Sequence, residues 1–391
     1  MLVCQNNTSL LFISTKFQSF TSHNFTAKPV KKESVIHFYK VAVKEVRKET
    51  ADCVSIEFDI PADYKEIFQY KAGQYITLRT IINDKEIRRS YSLCSSPLCN
   101  EWRIAVKKVP DGIFSSYAND ILKAGSVLEL MPPIGNFTSN FHPANKKHYI
   151  GLAAGSGITP VISLIKTALA SEPYSSFTLV YGNRNRHSII FKEELEALKN
   201  KYMDRFTIIH VLSREMTDAA INSGRIDQQK CDELFTKPLD FNADEFFICG
   251  PEEMINCVKD YLLSKNVNEK KIRFELFTTP DQPKRKAAIN RTVANEEEVS
   301  HITIKHDGIS TTFNLSMDGE NILDAALYHG TELPYSCKGG VCCTCKAKLL
   351  KGRVEMEVNY SLEPEETEQG FILTCQSHPI TKEVVIDFDI K

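Results

Sequence analysis

Four cysteines near the C-terminus constrain this chain more tightly than any other feature. Cys337, Cys342 and Cys345 stand in the pattern C-x4-C-x2-C, and Cys375 follows after a long gap. A loop offering three thiolates at this spacing, closed by a fourth from a separate segment, is an arrangement that holds a 2Fe–2S cluster. In Cys337-Lys-Gly-Gly-Val-Cys342-Cys343-Thr-Cys345, both Gly339 and Gly340 are expected to take positive φ and bring backbone N–H groups toward the sulfides. Structural zinc is the competing reading, but its stronger signature is two C-x-x-C knuckles and only one is present. A Rieske centre needs two histidines, and none stands beside the motif. Cys343, between two ligands, reads as a free thiol near the cluster.

Length and composition narrow the rest. A chain of 391 residues has room for two or three domains. Twelve cysteines with no export signal favour ligation over disulfides, and with it a reducing, cytoplasmic setting. A net charge of −2 gives no argument for nucleic acid, and no run nears the ~20 apolar residues of a membrane span. Residues 299–391 carry 8 Lys and Arg against 14 Asp and Glu, a balance of −6. That region is either steered toward a basic partner or simply solvated. Residues 1–35 are polar, and Leu10-Leu11-Phe12-Ile13 is too short for a signal-peptide core, so a disordered extension is expected.

Residues 36–145 alternate with period two. Val54, Ile56, Phe58 and Ile60 share a face, and residues 102–109 and 127–131 are further short apolar segments broken by Gly, Pro and Asp. An antiparallel β-barrel is expected. Within it, Arg88-Arg89-Ser90-Tyr91-Ser92 places Arg89 and Tyr91 on one face, where a guanidinium can meet phosphate and a ring can stack on the same ligand. Val106 and Lys108 lie on a neighbouring strand. Asp111-Gly112-Ile113-Phe114-Ser115 reads as a glycine turn into a Ser-capped helix, whose free N–H groups suit a second phosphate. In this order, ahead of a nucleotide domain, these residues read as a flavin site.

From 146 to 277 the texture becomes strand–helix alternation, which predicts an α/β domain on a parallel sheet. Strands are expected at 147–153, 177–181, 206–212 and 244–249, and helices at 159–170, 190–202 and 252–264. Gly155-Ser-Gly157-Ile-Thr159-Pro160 opens a helix at a strand's carboxyl end, where dinucleotide phosphates bind. Ser213-Arg214 suits the 2′-phosphate of NADPH, whereas Glu215 would suit the ribose of NADH. Arg184 and Arg186 are further cations nearby. Cys249-Gly250-Pro251 is expected to end the last strand, with a small thiol that lets nicotinamide approach the flavin. Residues 278–298 mix prolines with charge blocks of both signs and read as a linker. In 299–391 a hairpin across Asp307-Gly308 and a helix at 321–329 precede the cysteine loop.

These motifs, in this order, resemble the ferredoxin–NADP reductase superfamily fused to a C-terminal plant-type ferredoxin, over residues 36–391. Ser336–Cys345, Gly352-Arg-Val-Glu-Met-Glu-Val-Asn-Tyr360 and Gly370–Ser377 are most similar to the reductase subunits of ring-1,2-phenylacetyl-CoA epoxidases. The resemblance implies three domains: a flavin barrel, an α/β nucleotide domain and an α+β, β-grasp-like ferredoxin. It implies FAD as cofactor, NADPH as donor and a di-iron oxygenase component as acceptor. By position it assigns Arg89, Tyr91 and Ser92 to the flavin, with Ser92 near the reactive ring, and Ser115 to the FAD diphosphate. Gly155, Gly157, Thr159, Ser213 and Arg214 would hold NADPH. The alternatives are a reductase of another ring-hydroxylating oxygenase or a desaturase, and a zinc-stapled binding protein without enzymatic activity.

Overall fold

The computed structural model describes residues 37–277 and 299–390; the expected extension and linker lie outside them. The first unit contains β1 (Tyr39–Thr50), β2 (Cys53–Asp59), β3 (Tyr75–Ile82), β4 (Lys85–Ser92), β5 (Trp102–Lys107), α1 (Ile113–Asp120) and β6 (Val127–Leu130). The strands form an antiparallel sheet in the order β4-β3-β6-β1-β2-β5. A bridge between Leu93 and Ile104 joins the two edges and closes the barrel. Ile56, Leu78, Ile104, Val106 and Leu130 fill its core.

The cap of α1 differs from expectation. Gly112 is the N-cap and no side chain caps the helix. Ser115 lies one turn in, where its Oγ accepts from the N–H of Val109 and donates to the carbonyl of Gly112, both at 3.2 Å. A Cβ on Gly112 would fall 2.3 Å from that oxygen, so a larger residue there would displace the Ser115 hydroxyl.

The second unit holds β7 (His148–Ala154), α2 (Ile158–Ser171), β8 (Ser176–Asn183), α3 (Lys192–Lys201), β9 (Phe206–Leu212), α4 (Gln228–Thr236), β10 (Glu245–Gly250), α5 (Glu252–Ser264) and β11 (Ile272–Leu276). The five strands are parallel, ordered β11-β10-β7-β8-β9. Helices cover both faces over two apolar clusters. The strand ending at Cys249-Gly250 is therefore not the last, because β11 pairs beside it as a sheet edge. Its Ile-Arg-Phe-Glu-Leu sequence alternates, as befits an edge strand, and lacks the continuous apolar run of the buried strands.

The third unit comprises β12 (Val299–His306), β13 (Ile309–Ser316), α6 (Ile322–Tyr328), β14 (Lys346–Lys351), β15 (Val354–Met356), α7 (Pro364–Glu368), β16 (Phe371–Leu373), β17 (Ser377–Pro379) and β18 (Glu383–Asp387). Its main sheet runs β13-β12-β18-β14-β16, with β12 and β18 parallel at the centre. Asp307 and Gly308 both take positive φ in the hairpin turn, and Asn321 caps α6 by accepting from the N–H of Asp324. The cysteine loop lies between α6 and β14, packed against β3 and β4 of the barrel.

Candidate functional site

The three units enclose a cavity of about 490 Å³. β4 supplies Arg89, Ser90, Tyr91 and Ser92 to its wall, and the turn before α1 supplies Gly112 and Ser115. The α/β unit adds Ser156, Thr159 and Glu275, while Cys337 and Cys342 close the far side. Tyr91 packs on Phe114 with ring centroids 5.6 Å apart. A guanidinium, aromatic faces and a glycine-opened turn thus meet in one largely apolar chamber, which is the chemistry an isoalloxazine and its phosphates need.

Val106 and Lys108 are corrections. Val106 points into the barrel core, and Lys108 is paired with Asp120 at 2.6 Å. Ala105 and Lys107 face the cavity instead. Alternation along β5 makes this a one-residue difference in register, which inverts the face.

Glu275, on the edge strand that sequence reasoning missed, also faces this cavity. Ser92 Oγ donates to Glu275 Oε2 at 3.0 Å. Burial pushes this carboxyl up to about 8, and the Ser92 hydrogen bond opposes only part of that shift. Tyr75 and Phe277 also line the chamber.

A second cavity of about 870 Å³ opens over the carboxyl ends of the parallel strands. Gly155, Arg184, Ser213, Gly250 and Pro251 line it, as does Arg225, which sequence reasoning did not single out. Gly157 packs beneath, where a Cβ would fall 2.1 Å from the carbonyl oxygen of Cys249. Thr159 faces the first cavity and donates to the carbonyl of Ser156 at 3.1 Å. Cys249 is fully buried, and burial holds its thiol well above the usual range. Arg214 is exposed outside the cavity wall, its N–H donating to the carbonyl of Arg184 at 2.8 Å. Glu215 accepts from the backbone N–H and the guanidinium of Arg186, so these two residues are engaged with each other.

The four cysteines converge as two pairs. Cys342 lies beside Cys337, and Cys345 beside Cys375. The Cys337 and Cys375 thiols are held below the ordinary range by these neighbours, Cys337 also by N–H groups of Gly339, Val341 and Cys342. Two pairs of thiols, with thiolate character on each, fit a two-iron rhomb that takes two sulfur ligands per metal. Lys338 and Gly340, rather than Gly339, take positive φ, at 48° and 74°. A Cβ on Gly340 would lie 2.8 Å from Val358 Cγ2, so the cradle is closed to larger residues there. Cys343 points away, its thiol donating to the carbonyl of Ser361 at 3.1 Å, and burial raises it to about 11.

Comparison with known proteins agrees domain by domain. Residues 40–139 match the oxidoreductase FAD-binding domain, 152–260 the oxidoreductase NAD-binding domain and 304–379 the 2Fe-2S iron-sulfur cluster binding domain. The chain is 41% identical to one of the subunits of 1,2-phenylacetyl-CoA epoxidase from Escherichia coli K12, over 90% of this chain and 98% of that protein. It is 34% identical to the ferredoxin reductase component of 3-ketosteroid-9-alpha-monooxygenase from Rhodococcus rhodochrous, over 89% and 96% of the two chains. The phthalate dioxygenase reductase structure shares the fold, with a TM-score of 0.54 at 24% identity, covering 90% of this chain and 98% of that one. The chain therefore belongs to the family of NAD(P)H-dependent, FAD- and 2Fe–2S-binding reductase components of oxygenases.

Proposed function

We propose that this chain takes electrons from NADPH and delivers them singly to the di-iron component of a phenylacetyl-CoA epoxidase in the cytoplasm, as part of phenylacetate degradation. One observation carries the reading: the wall that holds the flavin-type residues Arg89, Tyr91 and Ser92 also contains Cys337 and Cys342. When bound, FAD takes a hydride and the cluster passes its two electrons on one at a time, with one proton released per NADPH.

The chain's own residues bind and orient. Arg89 and Ser115 hold the phosphates, Tyr91 packs along the flavin, and Ser90 and Ser92 carry hydroxyls beside its ring. Gly155, Gly157 and the start of α2 receive the dinucleotide phosphates, while Gly250 and Pro251 shape the nicotinamide end beside buried Cys249. Ser213, Arg184 and Arg225 line the second cavity, where a hydroxyl and two guanidinium groups suit a 2′-phosphate, with Arg214 exposed outside its wall, and this supports NADPH over NADH. Cys337, Cys342, Cys345 and Cys375 ligate the cluster. No helix among the described residues is long and apolar enough to cross a membrane.

Reconstitution tests the proposal. The purified holoprotein should support NADPH-driven epoxidation of phenylacetyl-CoA by the di-iron component. Turnover with a different oxygenase, and none with that component, would transfer the proposal to another acceptor.

A further inference from the structure

The barrel face that meets the cysteine loop carries four hydroxyls in register. β3 and β4 pair with Tyr75 opposite Ser92 and Thr77 opposite Ser90, and residues two apart on a strand share a face. Three of the four reach the cluster segment. Tyr75 Oη accepts from the backbone N–H of Cys343 at 2.9 Å. Thr77 Oγ1 lies 3.3 Å from Thr344 Oγ1, and Ser90 Oγ donates to Ser336 Oγ at 2.9 Å. The Thr77 and Ser90 hydroxyls also bond each other at 2.9 Å. The contacts land on Ser336, directly before Cys337, and on Cys343 and Thr344, between Cys342 and Cys345. Every loop ligand thus has a chain neighbour tied to the barrel.

This seat is dry. Tyr75, Thr77, Ser336 and Thr344 are all buried. A buried hydroxyl or amide stripped of its partner costs more than an intact bond contributes, so the contacts favour one placement of the loop. The ion pair that joins the same units, Arg79 with Glu332, involves an exposed carboxylate and discriminates far less between placements. Tyr75 is itself rigid. Its backbone exchanges two hydrogen bonds with Ile134, and its side chain is buried.

Resting on the reading that the cavity receives the flavin, we infer that Tyr75, Thr77 and Ser90 are positioning residues. Their hydroxyls fix the cluster loop against the cavity for the internal step, in which one electron leaves the reduced flavin for the oxidised cluster. Small displacements of reacting groups cost large factors in rate, so a seat of this kind sets the speed of that step.

Rapid mixing of the full-length holoprotein with NADPH under anaerobic conditions separates flavin reduction from cluster bleaching. Thr77 lies outside the cavity wall, so Thr77→Val should leave flavin reduction unchanged and slow cluster reduction about tenfold, a loss equal to ~1.4 kcal/mol. Thr77→Ser should restore the rate. Tyr75→Phe should slow cluster reduction relative to flavin reduction, hasten hydrogen exchange at the Cys343 amide and alter the electron paramagnetic resonance line shape of the reduced cluster. Unchanged cluster reduction and amide exchange in both Thr77→Val and Tyr75→Phe would overturn the inference. An unmodified protein that holds flavin and cluster yet passes no electron between them would overturn the underlying reading of the cavity, and this inference with it.

Discussion

Ser92 Oγ and Glu275 Oε2 are joined by a 3.0 Å hydrogen bond that ties the barrel to the edge of the parallel sheet across the cavity. Burial raises the carboxyl of Glu275 to about 8, which favours its protonated form at neutral pH. A raised carboxyl makes the folded protein bind a proton that the unfolded chain has released. The stability it contributes is present below 4.5 and is lost as pH rises toward about 8. Glu275→Gln should therefore gain thermal stability over the unmodified protein progressively across that window, then hold a constant margin above it. Melting curves from pH 5 to 9 measure this. The same variant should flatten the limb near pH 8 in the rate of flavin reduction by NADPH.

Close packing at the first turn of the nucleotide domain gives a second expectation. An added Cβ at Gly157 meets the Cys249 carbonyl at 2.1 Å and the Gly250 nitrogen at 2.8 Å, both main-chain atoms that cannot move aside cheaply. Gly157→Ala should cost roughly 1–3 kcal/mol, the usual penalty of overpacking, and weaken NADPH binding more than FAD binding. Urea denaturation and separate titrations of the two ligands check the two effects.

Nucleotide choice should follow the cations of the second cavity. Arg225→Ala should raise KM for NADPH about tenfold, as expected for loss of a charge-assisted contact, and leave KM for NADH within about twofold. Arg214 is exposed and outside the cavity wall, so Arg214→Ala should have the smaller effect. Steady-state kinetics with both donors and ferricyanide as acceptor resolve the comparison.

The two electron-transfer halves should be separable. Cys342→Ala removes a proposed cluster ligand but leaves Arg89, Tyr91 and Ser92 in place. It should abolish reduction of cytochrome c or of the oxygenase while NADPH–ferricyanide activity persists largely intact. Both activities vanishing together would argue against separable modules.

What the sequence made legible was local. The cysteine spacing, the Arg89–Ser92 run and the glycine turn at Gly155 each place their chemistry within a few residues, where chain geometry alone fixes relative positions. The swap of Ala105 and Lys107 for Val106 and Lys108 depended on strand register, which a short strand with the uninterrupted apolar run Ile104-Ala105-Val106 does not specify. Positive φ at Lys338 in place of Gly339 was hidden because glycine permits that conformation without requiring it. Glu275 and Tyr75 were beyond reach for another reason: each matters only because docking of separate units brings it to Ser92 or to Cys343. The edge strand bearing Glu275 was passed over because its alternating pattern differs from that of its buried neighbours.

The central claim is that one chain couples a hydride acceptor to a one-electron carrier. Anaerobic titration of the purified holoprotein, followed by visible absorbance and electron paramagnetic resonance, tests it most directly. The account predicts uptake of about three electrons per chain, two by the flavin and one by the cluster, with the signal of a reduced 2Fe–2S centre. Uptake of only about two electrons by a fully loaded protein, with no iron–sulfur signal, would contradict it.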